Sequence, residues 1–418
     1  MYIATSRSAD SAAGIPEARS AARRRVSGNV LALGMVSMVT DISSEMVTAV
    51  LPVYLVLGLG LSPLQFGVLD GLYSGVTALV RLAGGHVADR FGRFKAVAGF
   101  GYGLSAVCKL GLLAAGSSVG AIGAVLAADR TGKGLRTAPR DALISLSSEP
   151  EFLGRSFGVH RALDTVGAFL GPLVAMTVLW LSLGSYDAVF FTSFCVAALG
   201  VLVLFVAVRD RKKAAAVRAK PSLAESAGLL KIASFRRICW WAALLGLVTV
   251  SDSFVYLLLQ RRSDLAQVYF SLLPLGTAGV YLLLAVPLGH LADRIGRWKV
   301  FLGGHVALVC ALLTLVGPFD GVLLAVIALA LHGVFYAATD GVLMAAAGPS
   351  LPEHLRASGM ALVQTGQATA RMVSSVLFGA AWTAWDLYPA VLVTAGVLAV
   401  VVLAAAVARP LRRAGVSA

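Results

Sequence analysis

The chain has 418 residues, of which 58% are hydrophobic and 13% charged, with a formal net charge of +14 and a mean hydropathy of +0.84. Soluble domains carry about 25% charged residues, so this composition leaves too little polar surface to cover a water-soluble globule and predicts a chain integrated in a bilayer. The basic excess crowds alternate loops, which argues against a nucleic-acid surface and reads as a topology signal.

The first 28 residues are polar and include Arg19, Arg23, Arg24 and Arg25, with no short apolar core followed by a cleavage site. They read as a cytoplasmic N-terminal tail (1–28). Twelve apolar segments follow, each near the ~20 residues needed to cross a hydrocarbon core of ~30 Å. They cover 29–57, 64–87, 95–115, 118–138, 157–181 and 187–208, then 238–260, 267–291, 298–317, 321–345, 357–382 and 387–408. Long apolar runs without two-residue alternation predict helices rather than barrel strands. Between the sixth and seventh segments, "RDRKKAAAVRAK" (209–220) leads through Pro221 to Arg236 and Arg237. It reads as a cytoplasmic linker (209–237), with lipid binding as an alternative role. The linker divides the chain into an N-terminal six-helix bundle (29–208) and a C-terminal one (238–408), followed by a cytoplasmic tail (409–418). The expected fold is all-α and integral to the membrane, with twelve transmembrane helices in two pseudo-symmetric bundles.

Arg90, Arg93 and Lys95, Arg140 and Arg155, Arg294, Arg297 and Lys299, and Arg409, Arg412 and Arg413 fall on one side of this topology. The opposite loops carry almost no basic residues apart from Arg261 and Arg262. The positive-inside pattern therefore puts both termini in the cytoplasm.

Chemistry outside transport finds little footing. Cys108, Cys195, Cys239 and Cys310 each sit alone in an apolar segment and read as packed hydrophobes. The six histidines (86, 160, 290, 305, 332 and 354) share no metal-ligand spacing, so no metal or other cofactor is expected. "DRTGKGLRT" lacks the GxxxxGK[ST] spacing of a phosphate loop, so no ATP-binding site is expected within the chain. A membrane enzyme would need a catalytic constellation, and a transporter-like sensor would need an output domain that neither tail nor linker is long enough to form.

Internal repetition is strong. "GGHVADRFGRFKAV" (84–97) returns as "LGHLADRIGRWKV" (288–300), aligning Gly85, Asp89, Arg90, Gly92, Arg93 and Lys95 with Gly289, Asp293, Arg294, Gly296, Arg297 and Lys299. Each copy falls between the second and third helix of its half. "GMVSMVTD" (34–41) is matched by "GLVTVSD" (246–252), and "RDALISLSSEP" (140–150) by "TDGVLMAAAGP" (339–349). Paired halves with a site between them near the midplane are the organisation of secondary transporters. In the doubled motif, the first glycine permits close helix approach and Gly92 or Gly296 a tight turn. The aspartate is suited to pair with arginines and with a helix N-terminus.

This doubled loop resembles the signature loop of the major facilitator superfamily. The resemblance implies a conformational latch in which Asp89, partnered by Arg93, holds a helix of the other half in one state; Asp293 and Arg297 are the second copy. In the fourth helix, Leu126, Arg130 and Gly134 are similar to a family pattern whose arginine is linked to proton coupling, while Arg136 stands where that pattern has a small residue. "GAFLGP" (167–172) resembles an antiporter-associated motif through Gly167, Gly171 and Pro172, with Ala175 and Met176 replacing its usual glycine pair. Small residues there also suit a packing face. "DISSEM" (41–46) with "GKGLRTAPRDALI" (132–144) resembles a bacterial branch of efflux-like permeases of the drug/proton antiporter type. The resemblance implies a multi-pass protein of the bacterial cytoplasmic (inner) membrane, with a small molecule and protons as its partners. It would work by alternating access in proton-coupled efflux of a small organic compound. Proton-coupled uptake of a metabolite or siderophore-like metal chelate is the alternative.

Ionisable side chains inside a bilayer cost a few kcal/mol and mark function by default. Asp41 and Glu45 are four apart and share a helix face. Asp41 lies about twelve residues into the first helix, ~18 Å along it and near the midplane. Asp129 and Arg130 lie at similar depth from the other side. A lone carboxylate in hydrocarbon favours its neutral form and an adjacent arginine its charged form, a competition that suits a proton switch. Asp41 is the first candidate carrier and Glu45 the second, with Arg130 as modulator and Asp129 beside it. His160, Arg161 and Asp164 share one face of the fifth helix and read as a static pairing set. The C-terminal half is sparser, with Asp252, His305, His332, Asp340 and Arg371, and is expected to supply a more apolar cavity wall. Asp70, Lys109, Asp252, Tyr336 and Arg371 are the cavity candidates. His305 and His332 read as packing histidines. Trp240, Trp241, Phe254, Tyr256 and Phe335 suit either a cavity lining or interfacial anchoring.

Overall fold

A computed structural model of the chain describes residues 26–91, 93–210, 225, 228–263, 265–352 and 355–408, the side chains of 81–91, 150 and 357 excepted. Residues 1–25 of the N-terminal tail, 211–224 and 226–227 of the linker, and the C-terminal tail from 409 lie outside the described residues.

Each apolar segment forms a helical span. The N-terminal half holds α1 (Gly28–Val53), α2 (Pro63–Phe91), α3 (Phe94–Ala114), α4 (Val119–Leu146), α5 (Leu153–Leu181) and α6 (Tyr186–Ala207). In the C-terminal half the seventh span is broken into α7 (Ala233–Val248) and α8 (Asp252–Ser263). It is followed by α9 (Leu273–Ile295), α10 (Arg297–Val316), α11 (Gly321–Ala347), α12 (Arg356–Trp385) and α13 (Leu387–Ala408). Nine of the described spans are long and apolar enough to cross a membrane by length and composition. The other three, α2, α4 and α12, carry more polar residues; α2 packs on α4 within its half and on α12 across the halves.

Several helices outrun their hydropathy. α4 continues to Leu146 where the apolar pattern ends at 138, α2 to Phe91 rather than 87, and α9 to Ile295 rather than 291. Hydropathy marks the hydrocarbon slab, whereas backbone hydrogen bonding continues into the headgroup zone until a glycine or turn stops it. α7 begins at Ala233, inside the segment expected as linker. The end of α1 shows a local cause: Pro52 lacks an N–H, and the helix passes into a π-helical turn over Tyr54–Gly58.

Packing repeats between the halves as the sequence does. α1 packs on α5 and α6, α2 on α4, and α3 on α4 and α6; correspondingly α7 packs on α12 and α13, α9 on α11, and α10 on α11 and α13. The start of the third helix of each half also caps the end of the sixth. Lys95 Nζ donates to the carbonyls of Phe205 (2.9 Å) and Val208 (2.6 Å). At the equivalent place Trp298 Nε1 donates to Ala405 O (3.2 Å). These bonds satisfy carbonyls that a helix end leaves without partners.

The halves do not meet equally along their length. At the end opposite the doubled motif, one continuous apolar core joins residues of both halves, including Phe66, Phe190, Phe254 and Trp382. At the motif end there are two separate cores. One is built around Phe94, Tyr102 and Leu143, the other around Phe235, Phe301 and Leu343.

Candidate functional site

The far-end seal is made where small residues let α2 and α12 touch. A Cβ on Gly67 would fall 2.4 Å from Ser375 O, one on Gly71 2.7 Å from Met372 O, and one on Gly379 2.4 Å from Pro63 O. Only glycine allows these backbone approaches, which is how membrane helices pack without a hydrophobic driving force. Phe254 stacks edge-on against Phe66 (4.9 Å) and Phe378 (4.8 Å), joining the halves. Leu64 N donates to Thr383 Oγ1 (3.1 Å), Tyr186 OH to Gln267 Oε1 (3.2 Å) and Ser375 Oγ to Asp70 Oδ2 (2.7 Å).

Beneath this seal lies a cavity of about 520 Å³. The N-terminal half contributes Glu45, Thr48, Asp70 and Tyr73; the C-terminal half contributes the break at 249–251, then Asp252, Tyr256, Tyr281, Phe335, Tyr336, Asp340 and Arg371. The break itself has a partner: Ser374 Oγ on α12 donates to Thr249 O, a carbonyl freed by the interruption. Asp252 opens α8 and its carboxylate accepts the Tyr336 hydroxyl, whose oxygen lies 2.6 and 2.7 Å from Oδ1 and Oδ2, with His332 Nε2 3.3 Å away. The Arg371 guanidinium stands over the Tyr336 ring at 5.9 Å.

The expectation of an apolar C-terminal wall is therefore corrected. That half has fewer ionisable residues, but Asp252, Asp340 and Arg371 line the cavity, while Asp129, Lys109, Arg130, Asp41 and Arg136 pair with one another inside the N-terminal bundle. Of the cavity candidates, Asp70, Asp252, Tyr336 and Arg371 line the space. Lys109 does not: its Nζ donates to Asp129 Oδ1 (2.9 Å) and Ser105 Oγ (3.0 Å), fully buried in the N-terminal bundle. His332 also does more than pack, since it faces Asp252, whereas His305 sits among Phe301 and Phe335 with Nδ1 at 2.9 Å from Phe301 O. Tyr256 and Phe335 line the cavity, Phe254 belongs to the seal, and Trp240 is exposed on the outer face.

The buried N-terminal charges form two clusters. In the first, Asp129 accepts from Lys109, from Ser105 (2.5 Å) and from Arg130 (2.9 and 2.5 Å). Arg130 in turn stacks on Tyr73 at 3.8 Å, and Tyr73 bonds Thr48 (2.5 Å). In the second, Asp41 lies 3.5 Å from Arg136, with Asp164 of α5 beside it. Arg140 reaches Asp164 (3.8 Å), and Glu45, on the cavity wall, lies 3.9 Å from Lys133. Arg161 reaches Asp164 as well (3.7 Å), while neither ring nitrogen of buried His160 has a hydrogen-bond partner among the described residues.

The modulator assigned to Asp41 is thus corrected: Arg130 is committed to Asp129 and Tyr73, and Arg136 stands next to Asp41 instead. Arg136 also stacks on Tyr102 at 4.4 Å, in a space that the close backbone approach of Gly101 and Gly132 leaves beside it. The sequence held the signal for this set, because Lys133, Arg136 and Arg140 recur at helical spacing on one face of α4.

Gly167 and Gly171 bring α5 against α1 beside these groups. A Cβ on Gly167 would lie 2.4 Å from Met38 O, and one on Gly171 2.6 Å from Glu45 Cβ. Pro172 is buried at the same crossing.

Of the first motif copy, the side chains of Asp89 and Arg90, the surroundings of Gly85, and Gly92 lie outside the described residues; Arg93 is exposed before α3. In the second copy Gly296 adopts φ +110°, a conformation that requires glycine. Asp293 pairs with Arg297 (3.1 Å), and Arg297 donates to Ala345 O (2.6 Å), so both partners lie in the same half; Arg294 is exposed. A Cβ on Gly289 would meet no neighbour within 4 Å, so the close helix approach expected there is not made.

The comparisons agree with this architecture. The Major Facilitator Superfamily profile matches residues 33–280 and 263–418. An uncharacterised MFS-type transporter of Methanocaldococcus jannaschii is 28% identical over 373 residues, 86% of this chain and 89% of its own. Among solved structures, a mutant of the nucleoside transporter NupG superposes with a TM-score of 0.77 at 16% identity, covering 90% of this chain and 99% of its own. A mutant of a POT peptide transporter superposes with 0.76 at 14% identity, covering 95% and 99%. The profile match over nearly the whole chain, on two repeated bundles around a shared cavity, places this protein in the major facilitator superfamily, as a multi-pass membrane transporter.

Proposed function

We propose that the protein is a secondary active transporter that works by alternating access, using protons to drive efflux of a small organic solute. The observation that carries this reading is the cavity between the halves, sealed at one end by inter-half contacts and bordered at the other by two separate cores. Rocking about that cavity exchanges which end is closed. The basic loops support a motif end, with both termini, at the cytoplasmic face of the inner membrane.

Carboxylates close to the cavity support proton coupling. Asp41 and Asp164 face each other with cations on either side, and Glu45 links that cluster to the cavity wall. The antiporter-like glycines of α5 support the outward direction, since they seat α5 on the face of α1 that bears these carboxylates. The test is transport into inside-out vesicles loaded with a pH-sensitive dye. Efflux coupled to protons predicts solute accumulation with proton movement the opposite way, abolished by a protonophore. Solute and protons moving together would favour uptake, and solute flux indifferent to the pH gradient would contradict coupling.

A further inference from the structure

The charges around the cavity are unequal in how well they are already satisfied. Four carboxylates and one guanidinium line it. Glu45 has Lys133, Asp70 has the Ser375 hydroxyl, and Asp252 has Tyr336 and His332. Two groups are left. Arg371 rests over the Tyr336 ring with no carboxylate at ion-pair distance among the described residues. Asp340 is exposed, and Tyr281 OH touches it only at 3.4 Å.

These two opposite charges line the same cavity. Asp340 lies four residues, one helical turn, after Tyr336 on α11, and Arg371 of α12 stands on the Tyr336 ring. The cavity of about 520 Å³ that they share leaves room for a small solute carrying two charges. Tyr281, Phe335 and Tyr256 close around the same space. Charges held inside a membrane protein find a partner or cost free energy. A solute bearing one charge satisfies one of these groups and leaves the other; a solute bearing both satisfies both.

We propose that the cavity binds a small zwitterion, its carboxylate on Arg371 and its ammonium on Asp340, with an apolar remainder against Tyr281, Phe335 and Tyr256. This deepens the transport reading and rests on it.

The test uses the full chain in lipid nanodiscs and reads thermal unfolding with the common α-amino acids, with their methyl esters, which lack the carboxylate, and with their N-acetyl derivatives, which lack the ammonium. At least one free amino acid is expected to raise the unfolding temperature, with both of its blocked forms about tenfold weaker. Arg371→Gln should erase the preference over the methyl ester, and Asp340→Asn the preference over the N-acetyl form. If a variant does not fold, the wild-type discrimination decides alone. The proposal is overturned if esters or acetylated forms bind as well as the free amino acids, if no free amino acid binds, or if a folded Arg371→Gln keeps its preference. Counterflow in vesicles separates this from the transport reading. Counterflow that proceeds without a zwitterion preference overturns the site and spares the transporter. Zwitterion binding without counterflow does the reverse.

Discussion

Asp129 and Asp41 lie on facing helices of one bundle, yet their surroundings give them different work. Asp129 is held by Lys109, Arg130 and Ser105, each of which donates to its carboxylate. Such a cluster fixes α3 to α4. Asp129→Leu leaves two buried cations without an anion, and should cost about 3–5 kcal/mol of stability, read as a fall in unfolding temperature in detergent. Asp41 shares Arg140 with Asp164, so Asp41→Asn leaves a carboxylate beside Arg140 and should fold normally. We expect it to abolish substrate-driven proton movement while solute counterflow continues. Intact proton movement in Asp41→Asn would remove it as the carrier. Sequence showed all of these residues as buried charges and could not sort them. Asp129 is distinguished from Asp41 by Lys109 on α3, and only the crossing of two helices brings that lysine to it. Arg136 was visible as a departure from the family pattern, and its purpose became visible only beside Asp41.

At the scale of elements, hydropathy located each span but not the interruption in the seventh. Residues 238–260 form one apolar run with no proline, and Gly246 lies before the break. The interruption depends on Ser374 of α12, which accepts the role of partner for the freed Thr249 carbonyl; a tertiary contact of this kind leaves no local pattern. The α2–α12 crossing was likewise hidden, since a glycine's neighbours are set by another helix. That crossing predicts an effect. Gly71→Leu places a side chain where the Met372 carbonyl already limits a Cβ to 2.7 Å. It should loosen the far-end seal, lower turnover and lengthen distances measured across that end. The doubled motif, by contrast, is visible as a repeat in the sequence, because its spacing recurs at residues 85 and 289. Its proposed latch makes a separate prediction. Asp89→Ala should reduce transport rate more than apparent substrate affinity, and a matching loss of affinity at normal turnover would contradict the latch.

For the whole molecule, the central claim is that two copies of one bundle rock about a shared cavity, closing one end as the other opens. The repeated packing scheme, the single core at the far end and the paired cores at the motif end all express that design. The direct measurement is a pair of spin-label distances in a cysteine-free background, reconstituted in lipid. One pair, at Ser117 and Phe319, spans the far end in the loops before α4 and α11; the other, at Ser148 and Ser350, spans the motif end just beyond the same two helices. On shifting pH or adding a transported solute, the account predicts that the two distances change in opposite directions, the far end widening as the motif end narrows. Distances that stay fixed, or that lengthen and shorten together, would contradict it.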